Sequence, residues 1–528
     1  MSGLCVIEAA REPGVANRVA LITADTTWRY GELSQLTALC RERFRREGIE
    51  AGGRVAILSP NRLGAVVAIH ALLSLGAVLV PLHPRLTATE AEALIEDARP
   101  TRVLREADLV ALESALGDAV RAGAVAGPWW LTQPAVEVSS AVEVPSATEV
   151  SPAVEVPQAA EVPAVVSGEV VKDDAAEEGD LAILYTSGTT GRAKGAVLSR
   201  RAFVAAAVAS AENLGFHESD RWLLCMPLCH VGGLSVLTRC LLARRAMILV
   251  ERFEPQEVLR AIVRDRATLL SVVPTMLAAL VEADPQHVLA RLRAVLVGGA
   301  GAPQRLLEIC ARRRVPVLTT YGLTEACSQV TSQAPRDAST QEPGSGRPLG
   351  GSEVRLVDVD DAGAGRIQVR SATLFRGYWR GPERAPEHPL DAEGWFDTGD
   401  LGRLDDAGRL HVLARRTDLV VTGGENVYPA EVERALEGCE GVSRALVFGV
   451  PDERWGQLVA AAVVLDPAAP KGAPEVWIAS ETSARLASHK RPRLLAVVDA
   501  LPVTPAGKPD RRGAAERLAA KLRPLPRR

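Results

Sequence analysis

Residues 184–196 read Leu-Tyr-Thr-Ser-Gly-Thr-Thr-Gly-Arg-Ala-Lys-Gly-Ala, a run dense in glycine and hydroxyl side chains that follows an apolar stretch. Gly188, Gly191 and Gly195 let the backbone turn tightly and bring N–H groups close to an anion. Thr186, Ser187, Thr189 and Thr190 add hydroxyl donors, and Lys194 adds a positive charge. The chemistry this pattern predicts is phosphate binding. It is not a Walker A loop, which needs Gly-x-x-x-x-Gly-Lys followed by Ser or Thr, because Lys194 is followed by Gly195. The alternative is an ordinary polar hairpin between two strands.

Such a loop needs a scaffold. Over 18–104, strand-like runs (19–22, 55–58, 77–80) alternate with helical ones (30–47, 62–75), the signature of α/β layering with parallel strands. The apolar stretch 65–82 contains His70 and Gly76 and meets Pro81, so it reads as a buried helix running into a buried strand rather than a membrane span. Further buried-strand patterns fall at 182–185, 247–250, 269–273, 294–297 and 317–320, with shorter Gly-rich strands over 350–369. A boundary is expected near 414–418. Beyond it a compact run carries its own strands (445–449, 459–464) and a helix (430–436). The predicted organisation is a large domain over 1–414 and a small one over 415–528.

Residues 135–164 interrupt this plan with five tandem hexapeptides, AVEVSS, AVEVPS, ATEVSP, AVEVPQ and AAEVPA. Six-residue periodicity suggests a β-helix, but so few units make too little solenoid to bury a core, and prolines recur at unit ends. The segment is read as an extended or disordered surface insertion, with a partner-docking arm as the alternative.

At 528 residues the chain accommodates more than one domain, and a net charge of −4 with both signs dispersed gives no footprint for nucleic acid or an anionic membrane. The eight cysteines form no Cys-x-x-Cys pair and mostly sit in apolar runs, as buried reduced thiols do. The first residues carry no basic region followed by a long apolar one, so no export signal is expected. These features suit a cytoplasmic protein whose partners are small molecules.

Four more motifs follow the loop in order: Tyr321-Gly322-Leu323-Thr324-Glu325; Gly394-Trp395-Phe396-Asp397-Thr398-Gly399-Asp400; Arg415-Arg416-Thr417-Asp418 leading to Gly423-Gly424-Glu425-Asn426-Val427-Tyr428-Pro429; and Pro505-Ala506-Gly507-Lys508. Together they resemble the acyl-adenylate-forming superfamily of acyl-CoA synthetases, luciferases and adenylation domains, over nearly the whole chain apart from the insert. The resemblance implies an α/β fold, with a large N-terminal domain of layered mixed sheets and helices, a β-rich subdomain and a small mobile α+β C-terminal domain. It implies ATP, Mg2+ and CoA as ligands.

Joining a carboxylate to a phosphate brings two anions together, so the site must supply positive charge and rigid donors. By resemblance, Lys508 reaches the substrate carboxylate and α-phosphate, and Lys194 and His230 join it as catalytic groups. Glu325 holds Mg2+. The 186–191 loop, Gly322 and Thr324 bind nucleotide, Tyr321 offers its face to adenine, and Asp400 and Arg415 contact the ribose. Gly423 and Gly424 line the pantetheine tunnel after the small domain rotates, where absence of a side chain is the requirement. Ala414, where the family often has Gly, and Thr417, where it commonly has Asp or Lys, depart from the hinge pattern.

The substrate is expected between the loop and Tyr321. Arg239 lies nine residues after His230 in an otherwise apolar helical run, and a charge there needs a partner. In the resembling o-succinylbenzoyl-CoA synthetases of menaquinone biosynthesis, an arginine at this offset faces the aromatic carboxylate, and residues 323–330, Leu-Thr-Glu-Ala-Cys-Ser-Gln-Val, also look like that subfamily. His230, Gly298 and Gly299 complete the implied acyl pocket. Alternatively Arg239 pairs with a structural acid, and His230 is a satisfied core histidine. Rival activities are another aryl- or medium-chain acyl-CoA ligase, an adenylation module serving a separate carrier protein, and a catalytically silent nucleotide or acyl-CoA sensor.

Overall fold

A computed structural model describes residues 3–121, 179–186, 193–338, 343–361, 363–415, 418–422, 425–453, 455–486, 488–504 and 509–526. The expectations for the hexapeptide repeats, Ser187, Gly188, Thr189, Thr190, Gly191, Thr417, Gly423, Gly424 and Lys508 lie outside the described residues. The fold is α/β with layered sheets and helices, and its contacts divide it into two compact units, 1–184 with 199–252 and 185–198 with 253–528.

In the first unit, Arg54–Leu58 lies between the parallel strands Val78–Leu82 and Arg102–Arg105, and Val78–Leu82 also pairs with Asp180–Thr186. A second set runs Arg221–Leu224, Ala246–Leu249 and Val19–Ile22 in parallel, closed by the antiparallel strand Thr27–Arg29. Crossover helices supply the parallel connections, and strands covered on both faces read as continuous apolar runs. Helix Leu63–Leu75 is apolar nearly all round and correspondingly buried, ending where Gly76 adopts φ +75°. With Val78–Leu82 it accounts for the membrane-like stretch. Among the described residues no helix is long and apolar enough to cross a membrane.

In the second unit, Leu269–Val272, Ala294–Val297 and Val317–Leu323 are parallel neighbours, and Ser328–Ser332 turns back against the last of them. An antiparallel sheet of Ser352–Val357, Gly365–Ser371, Phe396–Leu404 and Leu410–Arg415 follows. In Gly365–Ser371 buried and partly exposed residues alternate through most of the strand, as one solvated face requires.

The C-terminal part is built on the hairpin Val442–Asp452 with Gly456–Leu465, longer than either expected strand, and Leu494–Val497 pairs parallel to the latter. Strand residues of one parity, including Val447, Val459 and Ala461, pack with Val432, Leu436 and Ile478 from helices Pro429–Glu437 and Pro474–Arg485. The other parity, including Leu446, Phe448, Ala460 and Ala462, packs with Ala514 and Leu518 of helix Arg511–Leu518. The period-two geometry of a strand thus feeds two cores from one hairpin.

Candidate active site

The segment that follows the expected phosphate loop is held by its own strand. Lys194–Ser199 pairs antiparallel with Gly377–Tyr378, and Trp379 N–H donates to the Gly195 carbonyl at 2.7 Å. Thr186 closes the loop base through a long 3.4 Å bond from its hydroxyl to the Lys194 carbonyl. This pairing sets the Lys194 ammonium 4.9 Å from the centre of the Tyr378 ring. The Tyr378 hydroxyl donates to Glu325 Oε1 at 2.9 Å, and Phe375 N–H donates to the Glu325 carbonyl at 2.8 Å. Tyr378 therefore sits between the loop lysine and the acid. It carries no motif, and no local spacing marks it.

Tyr321, Gly322 and Leu323 form the carboxyl end of Val317–Leu323, and Thr324 and Glu325 follow it, at the place where parallel α/β sheets collect ligand groups. A side chain at Gly322 would collide with the carbonyl of Ser328 on the adjacent strand, so glycine is needed to let the two backbones approach. Thr324 opens the short helical turn Thr324–Ala326 that carries Glu325. Tyr321 and Asp400 are both buried, and the phenol donates to Asp400 Oδ2 at 2.7 Å. Asp400 N–H is in turn bonded to the Thr398 hydroxyl. Gly298 and Gly299 follow the neighbouring strand Ala294–Val297, with Gly299 at φ +79° and space for its hydrogen beside Val273. Arg415 ends Leu410–Arg415, paired with Asp400 in register.

In the other unit, the segment 225–230 leaves the carboxyl end of Arg221–Leu224 and is clamped by buried Asn61. Asn61 Nδ2 donates to the Met226 carbonyl at 2.9 Å, and its Oδ1 accepts Leu228 N–H at 2.9 Å. His230 then caps helix Val231–Ala243, whose close entry requires Gly233, where a Cβ would strike the Pro227 carbonyl. His230 is exposed and lies 5.5 Å, centroid to centroid, from the ring of His83. Burial and the nearby Arg85 charge lower the His83 pKa, favouring a neutral ring. Burial pushes the neighbouring Cys229 thiol up to about 12.

Arg239, only 3% exposed, lies on the buried face of the same helix with its guanidinium 5.5 Å from the centre of the Trp222 ring. A π-face is one way to receive a desolvated cation. Neither His83 nor Trp222 was marked by a motif; a chemistry-bearing residue just past an apolar strand was the only signal for His83.

A single carboxylate such as Glu325 fits the usual Mg2+ environment, in which one or two carboxylates serve and water and phosphates complete the shell. One bond from Tyr378 leaves a carboxylate ample acceptor capacity for it.

The AMP-binding enzyme family matches residues 8–379, and the AMP-binding enzyme C-terminal domain matches 431–508. The 2-succinylbenzoate–CoA ligase of Bacillus licheniformis is 36% identical over 491 residues, spanning 92% of this chain and 94% of that protein. The structure of o-succinylbenzoate CoA synthetase from Bacillus subtilis in complex with its acyl-adenylate intermediate superposes with TM-score 0.76 at 30% identity, covering 97% of each chain. ATP-bound MatB from Rhodopseudomonas palustris gives TM-score 0.78 at 28% identity, over 98% of this chain and 99% of that one. The chain belongs to the AMP-binding enzyme family.

Proposed function

We propose that this protein is an AMP-forming acid–thiol ligase that activates o-succinylbenzoate with ATP and passes the acyl group to CoA, in menaquinone biosynthesis. The observation that carries the substrate choice is Arg239, a buried cation on the helix capped by His230. A second carboxylate on the substrate is the group such a cation recognises, directly or through water. The 2-succinylbenzoate–CoA ligase relatives support the same reading.

In the first half-reaction a substrate carboxylate oxygen bonds to the α-phosphorus of ATP as pyrophosphate leaves. In the second, the CoA thiol bonds to the acyl carbon, AMP leaves and the thiol proton is lost to solvent. Lys508 and Lys194 offset the meeting of anions, and the 186–191 hydroxyls and amides hold the phosphates. Glu325, positioned by Tyr378, is the acid that would hold Mg2+, which supplies charge neutralisation at the triphosphate. Tyr321, Gly322, Thr324, Asp400 and Arg415 seat the nucleoside. His230, Gly298 and Gly299 border the acyl group, and Gly423 and Gly424 the pantetheine arm. The family matches at 8–379 and 431–508 support a 1–414 domain and a mobile 415–528 domain. All eight cysteines are free, seven of them buried, which suits the cytoplasm.

The test compares Arg239→Ala with the parent on o-succinylbenzoate and on 4-oxo-4-phenylbutanoate, which lacks the aromatic carboxylate, after confirming that the variant is folded. Loss of a charge-assisted bond worth roughly 1.5–3 kcal/mol lowers kcat/KM for the dicarboxylate about 10- to 100-fold and leaves the analogue little changed. Equal losses on both acids would assign Arg239 a general packing role. A parent without preference for the dicarboxylate would point to a generic aryl-CoA ligase.

A further inference from the structure

His83, Cys229 and His230 bring one ligand atom each to within 4.8 Å of one another, a grouping the ligase chemistry does not call for. His83 follows the strand Val78–Leu82, while Cys229 and His230 follow a turn that the Asn61 side chain ties down at Met226 and Leu228, so both arms are anchored. The two imidazoles lie at 44° to each other. Two imidazoles and a thiolate form a borderline-soft donor set, suited to Zn2+ and poorly suited to Mg2+. Metal–ligand lengths of about 2.0–2.3 Å need the donors drawn inward by about 1 Å, within reach of side-chain rotation. Cys229 is the one cysteine of the eight whose residue is partly exposed, and His230 beside it is exposed.

We propose that His83, Cys229 and His230 form a three-ligand Zn2+ site, and that filling it withdraws His230 from the acyl pocket and inhibits the enzyme. Zn2+ takes the place of the thiol proton, which leaves to solvent, and accepts a lone pair from each neutral imidazole. His83 Nδ1 accepts Arg85 N–H at 3.1 Å, so capture costs that bond or a change of tautomer. The fourth position remains for water. The inhibitory half rests on His230 bordering the acyl group; the binding half does not.

The test uses the full chain, freed of metal, with Co2+ as a spectroscopic probe and no substrate present. One Co2+ per chain should produce a thiolate-to-cobalt charge-transfer band that Zn2+ abolishes and excess Mg2+ does not. Cys229→Ser should remove the band, and His83→Asn should weaken Zn2+ binding at least ~10-fold, the scale on which even outer-shell losses weaken metal sites. Zn2+ should slow pyrophosphate release by the parent and not by Cys229→Ser, with folding of both variants checked by circular dichroism. Absence of the band in the parent, its persistence in Cys229→Ser, or equal Zn2+ inhibition of parent and variants would overturn the proposal. Failure of the Zn2+-free parent, supplied with ATP, Mg2+ and CoA, to use o-succinylbenzoate would count against the substrate reading alone, since cobalt binding is read without any acid.

Discussion

The hydroxyl of Tyr321 donates to Oδ2 of Asp400 at 2.7 Å, with both side chains buried. Two residues from separate motifs, one expected at adenine and the other at ribose, are thus a single hydrogen-bonded unit. The bond ties down the rotamer of Asp400, the residue proposed to contact the ribose. Tyr321→Phe keeps the ring and removes the tie. A hydrogen bond to a charged group is worth roughly 1.5–3 kcal/mol, so the KM for ATP should rise at least ~10-fold, with kcat changing less. An ATP titration of pyrophosphate release that leaves KM unmoved would show the pair to be structural only.

Tyr378 and Glu325 give a graded prediction. Removing the acid in Glu325→Gln should raise the Mg2+ concentration needed for half-maximal activity by ~10-fold or more, because a neutral amide is a poor partner for a hard cation. Tyr378→Phe removes only the 2.9 Å bond that orients the carboxylate, so its shift should be smaller and in the same direction. Magnesium titrations at fixed ATP read both. Equal Mg2+ dependence in parent and Glu325→Gln would remove Glu325 from the metal.

Lys508 should divide the two half-reactions. Lys508→Ala is expected to lose ATP-dependent activation by at least ~10²-fold, the scale of one transition-state charge contact, while still converting supplied acyl-AMP to thioester. Comparable loss in both half-reactions would contradict a role confined to adenylation.

The C-terminal part carries a pH-sensitive carboxyl. Burial raises the pKa of Glu437 to about 7, although its carboxylate accepts the backbone N–H of Ala445. In the unfolded chain the group ionises near 4.3, so between there and about 7 the folded state binds more protons, and stability falls as pH rises. Glu437→Gln removes that titration. Its melting temperature should exceed the parent's at pH 8 and approach it at pH 5; a difference independent of pH would exclude the carboxyl as the cause.

The strands 19–22, 55–58 and 294–297 and the helices near 30–47 and 62–75 were legible because burial imposes a period or an unbroken apolar run over many adjacent residues, and helix ends carry local signals such as Gly76. The same holds for motifs such as 184–196 and 321–325, where neighbouring residues must act on one ligand, so the chemistry is written in consecutive positions. Family and fold follow from those local patterns. What only the tertiary structure decided are the partnerships between distant positions: Tyr378 between Lys194 and Glu325, Tyr321 on Asp400, Trp222 against Arg239, and His83 beside His230. Each depends on which elements pack side by side. Strand order is set by the packing of the whole sheet and leaves no period in the chain, since hydrogen bonds and ring contacts act over a few ångströms of space whatever the distance along the sequence.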